Sequence, residues 1–387
     1  MSVTAARGFE AAGVACGIKD DGRADLALVA TADRRPVAAA GVFTVNLATA
    51  PPVVVSRSHL RATGGKAAAV VLNSANANAA TGDPGRADAE ETCALAADRL
   101  GCRAEEVLVC STGLIGIPLP MAAIRAGVPT VTGALSAGGA ADAARAILTT
   151  DTTAKEVAVY GAGFTVGGMA KGAAMLAPHM ATMLAVLTTD AAASPAELGA
   201  ALHAGVAESF NALSVDGCCS TNDTVLLLAS GLAGPAGQAD LTAAVVEGCA
   251  DLAGQMAADA EGATKVVRVV VTGAASPDDA SRVARRIADS QLCKCSWYGA
   301  DPYWGRVVSE AGSAGAAFDP DRVSVAYGGV TVCAGGVAAP HDATALAEIM
   351  GHRNLEISVC LGLGQGSGWI VTNDLTHGYV DENMRTS

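Results

Sequence analysis

Aromatic residues make up only 3% of this 387-residue chain, and charged residues only 16%. A core short of large rings must be close-packed from small and β-branched side chains, and 45 glycines with abundant alanine suit that packing. Basic residues are in deficit, 25 against 38 acidic ones, for a net charge of −13. This balance excludes phosphate-driven nucleic-acid binding and points to small-molecule partners. No apolar stretch runs for the roughly 18 residues of a membrane span before a charge, Gly or Thr interrupts it. The opening MSVTAARGFEAAGVACGIKDDG lacks a continuous signal-peptide core, so a cytoplasmic protein is expected. CxxC spacing is absent among the 11 cysteines, which are scattered, with Cys218 and Cys219 adjacent and Lys294 between Cys293 and Cys295. They read as buried free thiols in a reducing compartment rather than a disulfide frame or metal site. The histidines (His59, His179, His203, His341, His352, His377) show no metal-ligand spacing, and no metal is expected.

What is present is an alternation of short apolar runs with helical stretches, the pattern of an α/β protein. Residues 66–72 read as a buried strand, 85–100 as a helix, and 107–110 as a strand stopping at Ser111-Thr112-Gly113. Residues 156–170 read as a hairpin turning at Gly161-Ala162-Gly163, and it delivers Lys171 to the next segment. A strand is expected from Thr182 to Thr189. Ser194-Pro195-Ala196-Glu197 is a capping box with Pro at the first helical position, opening a helix with Leu198, Leu202 and Val206 on one face. Strands at 225–229 and 266–271, a helix near 240–258 and a cap at Ser276 follow. LGLGQGSGW at Leu361 has glycines at alternate positions, which does not fit a dinucleotide fingerprint and reads as a tight turn region. A smaller C-terminal unit is expected from about 285 onward.

Chemistry concentrates at KGAAMLAPHMATMLAVLTTDA, from Lys171. A cut between Ala181 and Thr182 would leave threonine with a free amine beside its own hydroxyl. Such an amine ordinarily titrates at about 7.7 to 8.0 and is a usable base, and the pair forms an activated nucleophile. Ala181 leaves the attacked carbonyl uncrowded, and Pro178 restrains the chain just before it. The oxyanion formed by attack needs donors in place, and Thr112 and Gly113 offer a hydroxyl and a backbone N–H. Taken alone, however, STG after a strand is a strand-ending turn, Lys171 after a hairpin is a solvated surface group, and Glu261 merely ends a helix. STNDT at Ser220 either braces the site or forms a simple turn. His179 reads as packing near the junction rather than acting as a base.

The chain resembles the ornithine acetyltransferase family of arginine biosynthesis, also called glutamate N-acetyltransferase, which cleaves itself at an Ala-Thr bond. The resemblance runs nearly end to end. It is carried by FTVNLATAPPV at Phe43, LNSANANAATG at Leu72, CSTGLIG at Cys110, ILTTDT at Ile147 and MAKGAAMLAPHMATML at Met169. VDGCCSTNDTV at Val215, AEGATK at Ala260, ADPYWGRV at Ala300 and NDLTHGYVDEN at Asn373 continue it. It implies an α-β-β-α layered fold with a smaller C-terminal α/β unit, and two chains after self-cleavage, 1–181 and 182–387, assembled as an α2β2 heterotetramer. It also implies that Thr182 is nucleophile and cleavage residue, and that Thr112 and Gly113 form the oxyanion hole. Thr149, Lys171, Thr182, Glu261, Asn383 and Ser387 fall at substrate-binding positions. Lys171 suits an α-carboxylate, and Glu261 an ornithine ammonium.

The implied reaction moves an acetyl group from N-acetylornithine to glutamate by ping-pong transfer through an acetyl-threonine ester. It needs no cofactor, with acetyl-coenzyme A as a second donor if the protein is bifunctional. The chain departs from the family pattern at Tyr303, at Lys294, at Cys218-Cys219 and in a shortened tail after Asn383. A paralogous N-terminal-nucleophile amidohydrolase or acyltransferase with another donor or acceptor would share the same junction.

Overall fold

The computed structural model describes residues 2–175 and 183–384. In chain order it runs through β1 (Phe9–Val14), β2 (Leu26–Thr31), β3 (Val37–Phe43), α1 (Pro51–Ala62), β4 (Lys66–Ala67) and β5 (Ala69–Asn73). Next come α2 (Gly82–Leu100), β6 (Val107–Ser111), α3 (Met121–Gly133), α4 (Ala140–Ala146), β7 (Lys155–Tyr160), β8 (Thr165–Lys171) and β9 (Leu184–Ala192). They are followed by α5 (Pro195–Ala207), β10 (Leu213–Ser214), β11 (Thr224–Pro235), α6 (Gln238–Ala258), β12 (Val266–Ala274), α7 (Pro277–Ala288), α8 (Gln291–Tyr298) and α9 (Trp304–Gly312). The last elements are β13 (Ser324–Tyr327), β14 (Val330–Ala334), β15 (Val337–Ala338), α10 (Ala343–Gly351), β16 (Asn354–Cys360), β17 (Gly366–Asn373) and α11 (His377–Asn383). These elements form two compact units, one from residues 1–211 with 218–256, the other from 212–217 with 257–387.

Two sheets, ordered β1-β2-β5-β6 and β4-β3-β11-β9-β8-β7, build the first unit. Alternation along β2 decides the layering, because successive side chains point to opposite faces. Ala27 and Val29 join a core with Leu72, Leu108, Met169, Val186, Leu226 and Leu228, drawn from both sheets. Leu26 and Leu28 join a second core with Cys93, Ala96, Ile124 and Val128 of α2 and α3. On the far side of the second sheet, α6 lies so close that a Cβ at Gly248 would touch Leu187 and Val157. The unit is thus helix, sheet, sheet, helix, the expected α-β-β-α order.

Most expected elements are present. The Ser194 hydroxyl accepts from the Glu197 N–H and caps α5, and Ser276 caps α7 through the Asp279 N–H. The β7–β8 hairpin pairs Lys155 with Ala170 and Tyr160 with Thr165. Three expectations change. The run 66–72 is not one strand, because β4 pairs with β3 while β5 pairs with β2, and the chain passes from one sheet to the other at Ala68. The glycines at 366 and 368 belong to β17 rather than a turn, since Cβ atoms there would collide with Ser276 O at 2.3 Å and Ser281 N at 2.9 Å. The C-terminal unit starts at Ala257 rather than about 285, because β12 pairs with both β16 and β17.

That second unit carries one seven-stranded sheet, β10-β17-β12-β16-β13-β14-β15. Its core gathers Val267, Val269, Val271, Ile287, Val325 and Ile357 around a fully buried Trp297. Trp304 packs against this core, and the Arg268 guanidinium lies 4.9 Å from the Trp369 ring centre. The cysteines are less uniformly buried than expected: Cys93, Cys110, Cys249, Cys293 and Cys333 are buried, whereas Cys218, Cys295 and Cys360 are exposed.

Candidate active site

Parallel pairing of β5 with β6 sets Asn73 beside Ser111, at the end where both strands give way to loops. The Ser111 hydroxyl donates to Asn73 Oδ1 at 2.6 Å, and Asn73 Nδ2 donates to the Asn76 carbonyl at 2.8 Å. Asn76 in turn donates to the carbonyls of Ile117 and Pro118 at 3.2 and 3.1 Å. Asn222 closes the frame by donating to the Ala77 carbonyl at 2.6 Å and the Ser111 carbonyl at 2.9 Å. STNDT therefore braces this turn, the first of its two readings. Inside the frame Thr112 is buried, its N–H donating to the Asn73 carbonyl at 3.0 Å. Gly113 has φ +129°, and a Cβ would lie 2.2 Å from the Ala75 carbonyl carbon, so only glycine fits.

Lys171 ends β8 opposite Leu184 of β9. It is not the solvated group its position suggests, being only 3% exposed. Its Nζ donates to Thr112 Oγ1 at 3.3 Å and lies 3.8 Å from Asp151 Oδ2. Asp151 also accepts from Lys155 Nζ at 2.6 Å, from the Gly172 N–H at 2.7 Å and from the Thr149 N–H at 3.2 Å. Burial pushes the Asp151 carboxyl upward, but Lys171, Lys155 and the Gly172 N–H outweigh it and hold the group at about 2. A permanently ionised carboxylate shared by two buried lysines satisfies the rule that buried charges are paired. Thr112, Gly113, Thr149 and Lys171 are thus gathered in the first unit.

The proposed cleavage site, Ala181 and Thr182, lies outside the described residues, as do Pro178, His179 and Ser387. Met183, the first described residue after it, is fixed from two sides. Its carbonyl accepts from the Thr224 N–H at 3.2 Å, and its N–H donates to Asp223 Oδ1 at 3.0 Å. Asp223 is fully buried, and burial raises its carboxyl well above the usual carboxylate range.

In the second unit, Glu261 lies in the turn after α6, and its Oε2 accepts from Asn383 Nδ2 at 2.7 Å at the end of α11. Glu261 also lines a cavity of about 110 Å³ with Asp216, Asp289, Lys294, Asp374 and Tyr379. Lys294 is buried there, donating to the Val215 and Asn373 carbonyls at 2.8 Å each and to the Thr372 hydroxyl. Burial lowers its ammonium to about 8. Tyr303 is exposed at the N-terminus of α9. Cys219 is half-buried, its carbonyl accepting from Asn46 Nδ2 at 2.9 Å. Among the described residues no cluster of His, Cys, Asp or Glu could hold a metal ion.

Asp151, Lys155 and Asp223 were not singled out from sequence. A signal existed in ILTTDT and STNDT, where an aspartate stands beside hydroxyl residues just before a strand and can bond nearby N–H groups.

The model of the ArgJ family matches residues 10–386. The chain belongs to the ArgJ family. It is 51% identical over 397 residues to the "Arginine biosynthesis bifunctional protein ArgJ" of Mycolicibacterium paratuberculosis, covering 100% of this chain and 96% of that protein. The protein of the same name from Streptomyces coelicolor is 50% identical over 390 residues, and each is covered in full. Among solved structures, ornithine acetyltransferase from Mycobacterium tuberculosis complexed with ornithine is 45% identical. The match covers 47% of this chain and 96% of that one, with a TM-score of 0.43. An ArgJ structure from Bacillus halodurans is 36% identical, covering 51% of this chain and 95% of its own, with a TM-score of 0.48.

Proposed function

We propose that this chain is a self-processing acyltransferase of arginine biosynthesis, moving an acetyl group from N-acetylornithine to glutamate through an ester on Thr182. The observation that carries the reading is the buried contact between Lys171 and Thr112, in a chain about half identical to proteins named for arginine biosynthesis. A lysine ammonium is a donor only, so its bond to Thr112 Oγ1 directs the hydroxyl hydrogen away from Lys171 and leaves it for an oxyanion. The Gly113 N–H is the second donor in this reading. Self-cleavage proceeds by attack of Thr182 Oγ on the Ala181 carbonyl, an acyl shift to the ester, and hydrolysis. In the mature cycle the Thr182 amine is the base, Thr182 takes the acetyl group, ornithine leaves, and the glutamate amine attacks the ester. Water must be excluded from that ester.

Lys171 is assigned to the substrate carboxylate. Thr149, Glu261, Asn383 and Ser387 are assigned to substrate by the family resemblance alone. No bound cofactor enters the cycle. Acetyl-coenzyme A is a second donor in this reading, in keeping with relatives named bifunctional. The processed protein consists of chains 1–181 and 182–387, paired as an α2β2 heterotetramer in the cytoplasm. A denaturing gel and N-terminal sequencing test the processing. The expected result is two fragments, the second beginning at Thr182, and one uncut band for Thr182→Ala. A single full-length band from wild type overturns the reading.

A further inference from the structure

Both sheets of the first unit end beside α1, and the helix closes only one of the two edges. Toward β6 the Ser56 hydroxyl donates to the Val109 carbonyl at 2.7 Å and accepts from the Val109 N–H at 2.8 Å, so that edge is satisfied. Toward the other sheet, β4 is only two residues long and pairs with Val37 and Ala38 alone. Beyond it the Ala39 N–H donates to the Gly65 carbonyl at 2.8 Å, and the pairing stops. Hydrogen-bonded residues alternate along an antiparallel ladder, and this phase decides what the rest of β3 presents. Because the Thr44 N–H donates to the Asp223 carbonyl at 2.9 Å and Ala39 bonds outward, Ala40 and Val42 face β11 whereas Gly41 and Phe43 turn their N–H and C=O groups outward. Among the described residues those outward groups have no hydrogen-bond partner.

The open stretch, residues 39–43, lines a groove of about 680 Å³ that Arg57 and Arg61 of α1 and His203 of α5 also line. A strand residue fills roughly 160 Å³, given a rise of about 3.4 Å, a strand spacing of about 4.8 Å and a sheet thickness of about 10 Å, so the groove holds about four. The strand itself, VAAAGVF, has none of the charges or prolines that guard an exposed edge. Charge stands beside it instead. The Arg57 guanidinium lies 5.3 Å from the Phe43 ring centre and donates to the Thr44 carbonyl at 2.9 Å, Arg61 is exposed, and no acidic side chain lines the groove. In a chain of net charge −13 this is a local reversal of sign. A second copy meeting this edge about a two-fold axis would set like charges against each other. We propose that the edge is a docking site for an extended acidic segment of a partner protein, which adds a strand to β3. Its backbone bonds Gly41 and Phe43, and its carboxylates face Arg57 and Arg61. None of Thr112, Lys171 or Asp151 lines this groove.

The test uses the full chain as purified and a fluorescein-labelled Glu-Val-Glu-Val-Glu peptide. Its controls are Lys-Val-Lys-Val-Lys and the acidic sequence N-methylated at alternate residues, which removes the bonds to the edge. Fluorescence anisotropy is expected to show the acidic peptide binding more tightly than either control, and binding about tenfold weaker in Arg61→Glu. Amide exchange at Gly41 and Phe43, followed by NMR, is expected to slow about tenfold or more with the acidic peptide, while Ala40 and Val42, already bonded to β11, do not change. Absence of binding, or binding without slower exchange at Gly41 and Phe43, overturns the proposal. Equal binding of the N-methylated peptide does so too, because charge alone would then hold it. Protection of those two amides that rises with protein concentration and needs no peptide assigns the edge to a second copy, and likewise overturns it.

Discussion

Removing the charge of Lys171 while keeping its length isolates what that charge does. In Lys171→Met the Thr112 hydroxyl loses its donor, and Asp151 keeps Lys155 and the Gly172 N–H. Acetyl transfer from acetylornithine is expected to fall on the order of 100-fold, the cost of disabling one oxyanion donor. Lys171→Arg is not expected to restore it, because a planar fork cannot replace a compact ammonium in a closed site. Steady-state rates on the processed proteins check both. A variant within threefold of wild type would remove Lys171 from the chemistry. The strand-ending turn at Ser111-Thr112-Gly113 was legible because it is a local pattern. Asp151 was not, since Lys155 four residues on makes the pair look like an ordinary surface ion pair. What makes it a buried network is β8 bringing in Lys171, a contact no local window contains.

Elements with a start signal were legible: Ser194 and Ser276 cap the helices their sequences announce. Strands were legible as apolar runs but not as members of a given sheet, which is why Ala68 passed unnoticed. The alternate glycines of β17 were misread for a related reason, as their cause is the close approach of α7. Gly262 tests such a close approach. It has φ +61°, and a Cβ there would lie 2.3 Å from the Tyr379 N of α11. Gly262→Ala is expected to displace α11, break the Asn383–Glu261 bond and destabilise the second unit by about 1 to 3 kcal/mol. Hydrogen exchange checks this. Amides of 377–383 as protected as in wild type would show that the turn relaxes without moving the helix.

At the scale of the whole molecule, burial of titratable groups sets the response to pH. Lys294 in the second unit has its ammonium lowered by burial to about 8, below its ordinary 10.5. Between those values the unfolded chain binds more protons, so this group makes stability rise with pH. The neighbouring Cys293, pushed up to about 11 by burial, works in the opposite direction as pH rises toward and past 9, as do the other buried thiols, so the Lys294 contribution is read as a difference between wild type and variant. Calorimetry is expected to show the pH 8 to 9 change in stability about 1 kcal/mol more favourable in wild type than in Lys294→Met, since the buried thiols, which oppose it, are common to both. Equal slopes would mean that Lys294 does not titrate there.

All three tryptophans, Trp297, Trp304 and Trp369, belong to the unit formed by 212–217 and 257–387. Intrinsic indole emission is therefore an optical signal that originates in that unit alone. Thr112, Lys171 and Asp151 lie in the other unit, so a denaturant titration read by indole fluorescence does not report directly on the turn that holds Thr112 and Gly113.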